Sequence, residues 1–176
     1  MIKVHDKFFR PYISKEEIQA AVEQVAEQIS QDFDNQCPIL ISVLNGSFIF
    51  AADLIRAISI DCEITFIKLK SYTGTTSSGN AQTLLGLEEN IEGRPVIIIE
   101  DIVDTGHTIT HLLSLLNEHA PTEVRIACLL HKPEALVNPL IIDYIGFQIP
   151  NKFVVGYGLD YDGLGRNYSD IYQLVD

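Results

Sequence analysis

Apolar residues recur at helical spacing in one long segment near the start of the chain. The stretch "SKEEIQAAVEQVAEQISQDF" opens with Ser14 and Glu17, which have the spacing of a capping box. Apolar residues then return every three or four positions, at Ile18, Ala21, Val22, Val25 and Ile29. This pattern predicts an amphipathic helix whose apolar face covers a hydrophobic core.

Several short apolar runs lack alternation, which is typical of strands buried on both faces. These runs are "PILISVL", "RPVIIIE" and "EVRIACLL", and "CEITFIKLK" is a further predicted strand. The segments "FIFAADLIRAI" and "TITHLLSLLNEHA" lie between them and predict helices. Strand, helix and strand in this order form a βαβ unit. We therefore predict an α/β fold with a mainly parallel, twisted sheet and helices on both faces.

Two other segments have no long periodic pattern. "SYTGTTSSGN" is rich in Gly, Ser and Thr and predicts a long loop that is a candidate lid. The last segment, from "FQIPNKFVVGYG" onward, predicts short strands and loops that form a small hood. We expect a single domain over 1–176, with a core sheet at about 35–135 and a hood from about 1–12 and 145–176.

Composition narrows the classes of function. A chain of 176 residues with 47% apolar content fits one folded domain with its own core. Its 24 acidic and 12 basic residues give a net charge of −12, which argues against nonspecific binding to nucleic acid. No apolar run approaches the ~18 residues of a membrane span, and no signal peptide is evident. We expect a cytoplasmic protein without a membrane partner.

The three cysteines, Cys37, Cys62 and Cys128, are odd in number and far apart in the sequence. This spacing favours buried free thiols over a disulfide framework or a zinc site. The five histidines also lack the spacing of metal ligands, and we expect them in loops or on the surface.

The stretch "VIIIEDIVDTGHTIT" joins a predicted buried strand to three carboxylates and a glycine turn. A turn at Gly106 would direct backbone N–H groups and the hydroxyls of Thr105 and Thr108 towards a helix start, which suits a phosphate. The loop has neither the lysine of a Walker A motif nor GxGxxG spacing. Carboxylates beside a phosphate suit ribose hydroxyls or a hard cation such as magnesium. In the alternative interpretation, Asp104 is only a helix N-cap.

The string "EDIVDTGHT" resembles the phosphoribosyl diphosphate signature of the type I phosphoribosyltransferases, and the resemblance covers nearly the whole chain. Four further stretches are similar to motifs of that family. "SVLNGSFIFAADL" resembles its diphosphate loop, "LKSYTGTTSSG" its mobile catalytic loop, "LLHKP" its purine-contacting lysine segment, and "IPNKFVVGYGLDYDGLGR" its purine-binding hood. In order and spacing they are most similar to the hypoxanthine-guanine branch of the family.

The resemblance implies a role for each matching residue. Glu100 and Asp101 would hold the ribose 2′ and 3′ hydroxyls, and Asp104 would be the catalytic general base near purine N7. The implied phosphoribosyl diphosphate or nucleotide site consists of Glu100, Asp101, Thr105, Gly106, His107, Thr108, Asn45, Gly46, Ser71, Tyr72 and Arg166. The implied purine site consists of Lys132, Phe153, Val154 and Asp160, and the implied magnesium ligands are Glu100, Asp101 and Asp160.

The chain departs from the family pattern at two places. Asn45 stands where the family has a lysine, which leaves the backbone donors of Asn45 and Gly46 as the implied diphosphate contacts. Leu164 and Gly165 stand where many relatives have an aromatic pair, so the packing under Arg166 is expected to differ.

The resemblance implies a purine salvage enzyme. It would transfer 5-phosphoribosyl from phosphoribosyl diphosphate to hypoxanthine or guanine with Mg²⁺, giving IMP or GMP. The resemblance also implies a homodimer or homotetramer, and a mean hydropathy of +0.16 indicates apolar surface that such an assembly would cover. Alternatives are transfer to xanthine, adenine or a pyrimidine, and a non-catalytic regulator that senses phosphoribosyl diphosphate.

Overall fold

The structure is a computed structural model that describes residues 1–69, 83–87 and 89–175. The candidate lid, with Ser71 and Tyr72, lies outside the described residues. In chain order the described elements are β1 (Ile2–Val4), β2 (Lys7–Ile13), α1 (Lys15–Asp32), β3 (Ile39–Val43), α2 (Phe48–Ala57), β4 (Glu63–Leu69), β5 (Thr83–Leu85), β6 (Pro95–Val103), α3 (His107–Asn117), β7 (Glu123–His131), a short 3-10 helix (Pro133–Ala135), β8 (Tyr144–Gln148), β9 (Val154–Val155) and β10 (Ile171–Leu174).

The larger sheet has the strand order β5-β4-β3-β6-β7-β8. Strands β4, β3, β6, β7 and β8 run parallel, and β5 is antiparallel to β4. The predicted mainly parallel sheet is therefore confirmed. The sheet extends beyond the expected core range of about 35–135, because Tyr144 at the start of β8 pairs with Ala127 of β7.

Helix α1 begins at the predicted capping box. The Glu17 backbone amide donates to Ser14 Oγ at 3.3 Å, and the Ser14 amide donates to Glu17 Oε2 at 2.9 Å. These two bonds satisfy backbone groups that the first turn of a helix leaves without partners. The predicted apolar positions of α1 are all buried. The local sequence therefore determines both the start of this helix and the face that it buries.

The helices cover both faces of the larger sheet. On one face, α1 and α2 bury a core that includes Ile29, Phe50 and Leu54. On the other face, α3 buries a second core through Ile109 and Leu112. The strand β6 contributes alternate residues to the two cores, as a strand covered on both faces must. The predicted helices on both faces are confirmed.

The smaller sheet joins the beginning and the end of the chain. Its strands have the antiparallel order β1-β2-β10-β9, with Ile13 opposite Ile171. Val4, Phe9 and Val155 form its buried cluster. We call this sheet and the loop between β9 and β10 the hood.

Two expectations about single residue types are wrong. Only Cys128 is a buried thiol, because Cys37 and Cys62 precede β3 and β4 at the open amino end of the sheet. His131, expected on the surface or in a loop, is the last residue of β7 and is buried. Among the described residues it has no hydrogen-bond partner for either ring nitrogen, and burial lowers its pKa.

In the described ranges we find no helix with the length and apolar character that crossing a membrane requires.

Candidate active site at the carboxyl edge of the sheet

The carboxylates Glu100 and Asp101 belong to a strand rather than to a loop. Strand β6 continues past its apolar run as far as Val103, and Glu100 lies opposite Cys128 of β7. Parallel strands bring their carboxyl ends to one edge of a sheet, where ligands commonly bind. Both acids are therefore held by the sheet at the edge where a ligand is expected.

The negative charges of these two carboxylates are only partly balanced by neighbouring donors and cations. Burial, with the nearby charge of Asp101, raises the pKa of Glu100 well above its ordinary range. Burial also raises the pKa of Asp101 to about 6, although the Ile102 amide and Arg166 act in the opposite direction. Within the described part of the chain, Glu100 Oε2 has no hydrogen-bond partner. Hydroxyl donors or a cation would supply what this pair lacks.

The loop after β3 lies directly against Asp101. The peptide bond between Leu44 and Asn45 is cis, and Asn45 is exposed. A Cβ atom built on Gly46 would collide with the Asp101 carboxylate. Only glycine therefore allows the backbone of this loop to approach the carboxylate so closely.

Two buried serines support this loop, and the sequence analysis did not single them out. Ser47 Oγ donates to the Val43 carbonyl at 2.5 Å and lies 2.7 Å from Ser42 Oγ. Both side chains are fully buried, so the hydrogen bonds fix the turn from β3 into α2. The available signal was the presence of two small polar residues inside an otherwise apolar segment.

The predicted phosphate loop opens α3. Gly106 is the N-cap with φ +81°, a conformation that favours glycine, and no side chain caps this helix in the described structure. The first intrahelical bond runs from the Thr110 amide to the Gly106 carbonyl. The preceding amides are therefore available for an anion at the positive end of the helix. Thr105, His107 and Thr108 are exposed around them.

Asp104 is paired with Lys132 and is not the N-cap, so the capping alternative is wrong. Lys132 Nζ donates to Asp104 Oδ2 at 2.8 Å. The lysine side chain is only 7% exposed, whereas the aspartate side chain is 45% exposed. The Lys132 amide also donates to the Val103 carbonyl at 2.9 Å, which ties the ends of β6 and β7 together. A donor and an acceptor are thus presented side by side at the sheet edge.

The hood also exposes an aromatic ring, directly before β9. Phe153 is 44% exposed, and its ring centroid lies 6.3 Å from Phe9 and 5.8 Å from Tyr161. The next residue, Val154, is buried in β9 and pairs with Gln173. An exposed ring supported by a buried ring and a partly buried one offers a stacking surface for a planar ligand.

Arg166 and Asp160 form the other end of the hood. Arg166 Nη2 lies 2.7 Å from Asp160 Oδ1, and Arg166 Nη1 donates to the Gly158 carbonyl at 2.6 Å. Both charges influence the pKa of Asp101, so this pair lies near the β6 acids. Leu164, in place of an aromatic residue, is exposed, and Gly165 is buried with φ +101°.

The donor set fits a magnesium ion that arrives with its substrate. The described residues contain no group of three or more His, Cys, Asp or Glu side chains that could hold a metal. Glu100 has an unpaired carboxylate oxygen, and Asp101 and Asp160 supply further hard oxygens. Magnesium commonly binds through one or two carboxylates together with substrate phosphates and water. The residues present fit this type of site.

The structure brings most of the predicted site residues to one edge. The β6 acids, the loop of Asn45 and Gly46, the start of α3, the Lys132–Asp104 pair and the hood residues all lie at the carboxyl ends of the parallel strands or in the hood. Ser71 and Tyr72 lie outside the described residues. Ser42, Ser47 and Tyr161 are not among the site residues that the sequence predicted.

Comparisons with known proteins agree with this geometry. Residues 14–162 match the model of the phosphoribosyl transferase domain. The chain is 42% identical over 159 residues to a hypoxanthine-guanine phosphoribosyltransferase of Streptococcus mutans, which covers 90% of this chain and 87% of that protein.

Two solved structures are similar to this chain in both sequence and fold. A hypoxanthine-guanine phosphoribosyltransferase of Bacillus anthracis is 40% identical, with a TM-score of 0.89 over 97% of this chain and 99% of that chain. A hypoxanthine phosphoribosyl transferase of Trypanosoma cruzi, solved to define how its C-terminal region affects oligomeric state and activity, is 38% identical. Its TM-score is 0.89 over 99% of this chain and 95% of that chain.

Proposed function

This chain belongs to the phosphoribosyl transferase family, and from that premise we propose how its site transfers 5-phosphoribosyl to hypoxanthine or guanine. The donor is phosphoribosyl diphosphate, and the products are IMP or GMP and diphosphate. The chain is a pentosyltransferase of purine salvage.

The phosphoribosyl group is bound by the β6 acids and the start of α3. The buried carboxylates of Glu100 and Asp101 accept hydrogen bonds from the ribose 2′ and 3′ hydroxyls, which satisfies oxygens that burial has deprived of water. The 5′-phosphate accepts from the amides after Gly106 and from the hydroxyls of Thr105 and Thr108. The diphosphate accepts from the backbone at Asn45 and Gly46 and from the Arg166 guanidinium.

One observation carries the choice of purine, namely the 2.8 Å pair of Lys132 and Asp104. A 6-oxopurine presents a carbonyl oxygen beside its N7 position. The Lys132 ammonium has three donors, so it can keep Asp104 and still donate to the 6-oxo group. Asp104 can accept the proton on N7. Adenine would present an amine to the same ammonium, and two donors cannot satisfy each other.

The chemistry follows from the same pair. As the base nitrogen attacks the sugar carbon, the base gains positive character, and Asp104 removes the N7 proton as general base. Phe153 stacks on the base, and Val154 contacts its edge through the backbone. Arg166, held by Asp160 and the Gly158 carbonyl, stabilises the charge of the departing diphosphate.

We propose Mg²⁺ as the cofactor, held by the diphosphate substrate together with Glu100, Asp101 and Asp160, the last through water. When bound, it neutralises charge on the leaving diphosphate. The partly exposed position of Asp160 beside Arg166 and the unpaired oxygen of Glu100 support these assignments.

We also propose that Ser71 and Tyr72 belong to a lid that closes over the sugar and excludes water. The proposed partners are the small-molecule substrates and further copies of the chain in a homodimer or homotetramer. The proposed location is the cytoplasm. Light scattering at micromolar concentration tests the assembly, and a monomer would contradict it.

A substrate panel tests the function. Purified protein is assayed with phosphoribosyl diphosphate and each of hypoxanthine, guanine, xanthine and adenine, with Mg²⁺ and with a chelator. We expect turnover of hypoxanthine and guanine, with discrimination against adenine of about 10⁴ because buried donors would remain unpaired. Comparable turnover of adenine would contradict the role of Lys132. A protein that turned over none of the bases but bound nucleic acid in a gel shift would instead be a regulator.

A further inference from the structure

Tyr161 is the centre of an aromatic cluster in the hood that the proposed mechanism does not use. Its ring meets Phe153 edge to face, with centroids 5.8 Å apart and planes at 82°. It lies 6.4 Å from the fully buried Phe9 and 5.6 Å from His5, again edge to face. The Lys7 ammonium lies 5.5 Å above the Tyr161 ring. Tyr161 is partly buried, and its ring therefore supports the more exposed ring of Phe153.

The hydroxyl of Tyr161 connects this cluster to the start of the chain. It donates to Asp6 Oδ1 at 2.9 Å, across 155 positions of sequence. Asp6 lies with His5 in the turn between β1 and β2, and Lys7 is the first residue of β2. The hydrogen bond lowers the pKa of Asp6 and raises that of Tyr161. The N-terminal hairpin thus anchors the Tyr161 side chain through its hydroxyl.

The backbone of Tyr161 begins the turn that carries the Asp160–Arg166 pair. The Tyr161 amide donates to the Leu164 carbonyl at 2.8 Å, and the Leu164 amide donates back at 3.1 Å. Within this turn the Gly163 amide donates to Asp160 Oδ2 at 2.7 Å. One residue therefore has its side chain against Phe153 and its main chain next to Asp160.

We propose that Tyr161 is a positioning residue for purine recognition, which holds the Phe153 ring in its stacking orientation and is itself held by Asp6. This inference rests on the proposed function, because it assigns the role through the stacking of Phe153 on the base. The N-terminal hairpin then belongs to the purine site through Asp6, which accepts the Tyr161 hydroxyl.

Three variants separate the ring from the hydroxyl. Tyr161→Leu removes the ring, Tyr161→Phe removes only the hydroxyl, and Asp6→Ala removes only its acceptor. We expect Tyr161→Leu to raise KM for hypoxanthine roughly three- to tenfold, which is the range that one aromatic pair supports. KM for phosphoribosyl diphosphate should stay unchanged. KM does not depend on the fraction of folded enzyme, so simple destabilisation would not produce this split.

A double-mutant cycle tests the anchor. Tyr161→Phe and Asp6→Ala should each raise KM for hypoxanthine by less than Tyr161→Leu, and the double variant should match either single variant because both remove the same bond. Additive effects would overturn the anchoring role. Tyr172→Phe is the matched control, since Tyr172 is also a hood tyrosine with a carboxylate partner, Asp170, and a ring neighbour. It should leave both KM values unchanged.

Calorimetry supplies a readout that does not require turnover. IMP binding should weaken in Tyr161→Leu by the same factor as KM, whereas binding of ribose 5-phosphate, which has no base, should not change. Equal weakening of both ligands, or of neither, would overturn the proposal. A wild-type protein that transfers phosphoribose to no purine would contradict the proposed function instead, so the two failures are distinguishable.

Discussion

The amino and carboxyl ends of the parallel sheet differ in how their charged side chains are paired. At the amino end, Arg94 donates to Glu63 Oε1 at 2.8 Å and to the Cys37 carbonyl at 3.0 Å. At the carboxyl end, Glu100 is buried with an oxygen that has no partner among the described residues. Folding therefore pairs these charges at the amino end, whereas at the carboxyl end it leaves Glu100 with an unpaired oxygen although Lys132 and Asp104 are paired nearby.

This difference indicates that the ligand binds at the carboxyl end of the sheet. A buried carboxylate without a partner costs free energy, so a fold retains it only where something else satisfies it. The amino end needs nothing further, whereas the carboxyl end needs donors or a cation. Substitutions at the amino end should therefore change stability, and those at the carboxyl end should change binding and catalysis.

Asp104→Asn should produce the largest loss of activity. The amide keeps the shape of the side chain and can still contact Lys132, but it cannot accept the N7 proton. We expect kcat to fall by about 10²–10⁴, with KM for phosphoribosyl diphosphate little changed. Steady-state kinetics and the thermal midpoint measure the two effects separately. Asp143→Asn is the control, because the Asp143 carboxylate accepts from the Ile126 amide at the amino end. An unchanged kcat in a folded Asp104→Asn variant would remove Asp104 from the chemistry.

Lys132→Gln should lower the activity with hypoxanthine and reduce the selectivity for hypoxanthine over adenine. A hydrogen bond from a charged donor is lost, and an amide can accept from the adenine amine as well as donate. We expect kcat/KM for hypoxanthine to fall about 10- to 100-fold while the preference over adenine narrows. Lys15→Gln, which removes the charge of an exposed lysine in α1, should do neither. Selectivity that survives the loss of Lys132 would show that other groups recognise the 6-oxo position.

Glu100→Gln should change how the stability of the free protein depends on pH. Folding raises the pKa of Glu100 well above 4.5, and that of Asp101 from 3.8 to about 6. The stabilisation from protonated carboxyls is therefore complete below their unfolded pKa values and is lost as pH rises through the folded values. Thermal midpoints of the wild type should fall from pH 4 towards neutrality, and Glu100→Gln should flatten that fall.

The same substitution at the amino end supplies the matched control. Glu63→Gln should leave the pH dependence of the thermal midpoint and both KM values as in the wild type. Glu100→Gln should raise KM for phosphoribosyl diphosphate about tenfold, since it removes a charged acceptor for a ribose hydroxyl. Equal pH profiles for the two variants would mean that the carboxylates at the carboxyl end are paired as fully as those at the amino end.

Arg94→Gln should give the smallest effect. It breaks the contacts to Glu63 and to the Cys37 carbonyl, which lie far from the proposed substrates. Exposed ion pairs contribute little to stability, so we expect a fall of a few degrees at most in the thermal midpoint and no change in kcat or KM. A kinetic effect comparable to that of Glu100→Gln would contradict the division between the two ends.

Much of the site could be predicted because its residues occur in short motifs. The acids, the glycine turn and the start of α3 are contiguous, and local steric and capping rules act over the same few residues. Ser42 and Ser47 could have been found as polar residues in an apolar run. The burial of His131 could not, because a histidine at the end of a strand is compatible with either environment until the neighbouring elements pack against it.

Apolar periodicity and short motifs are properties of neighbouring residues, so the main helices, the parallel sheet and the family resemblance could be predicted from the sequence alone. The electrostatics of the site and the contacts within the hood could be read only from the folded structure. The Lys132–Asp104 pair joins two strand ends, the contact of Gly46 with Asp101 joins two loops, and Tyr161 meets Asp6 across nearly the whole chain. Desolvation and long-range contacts depend on what packs around a group, and that information exists only once the chain has folded.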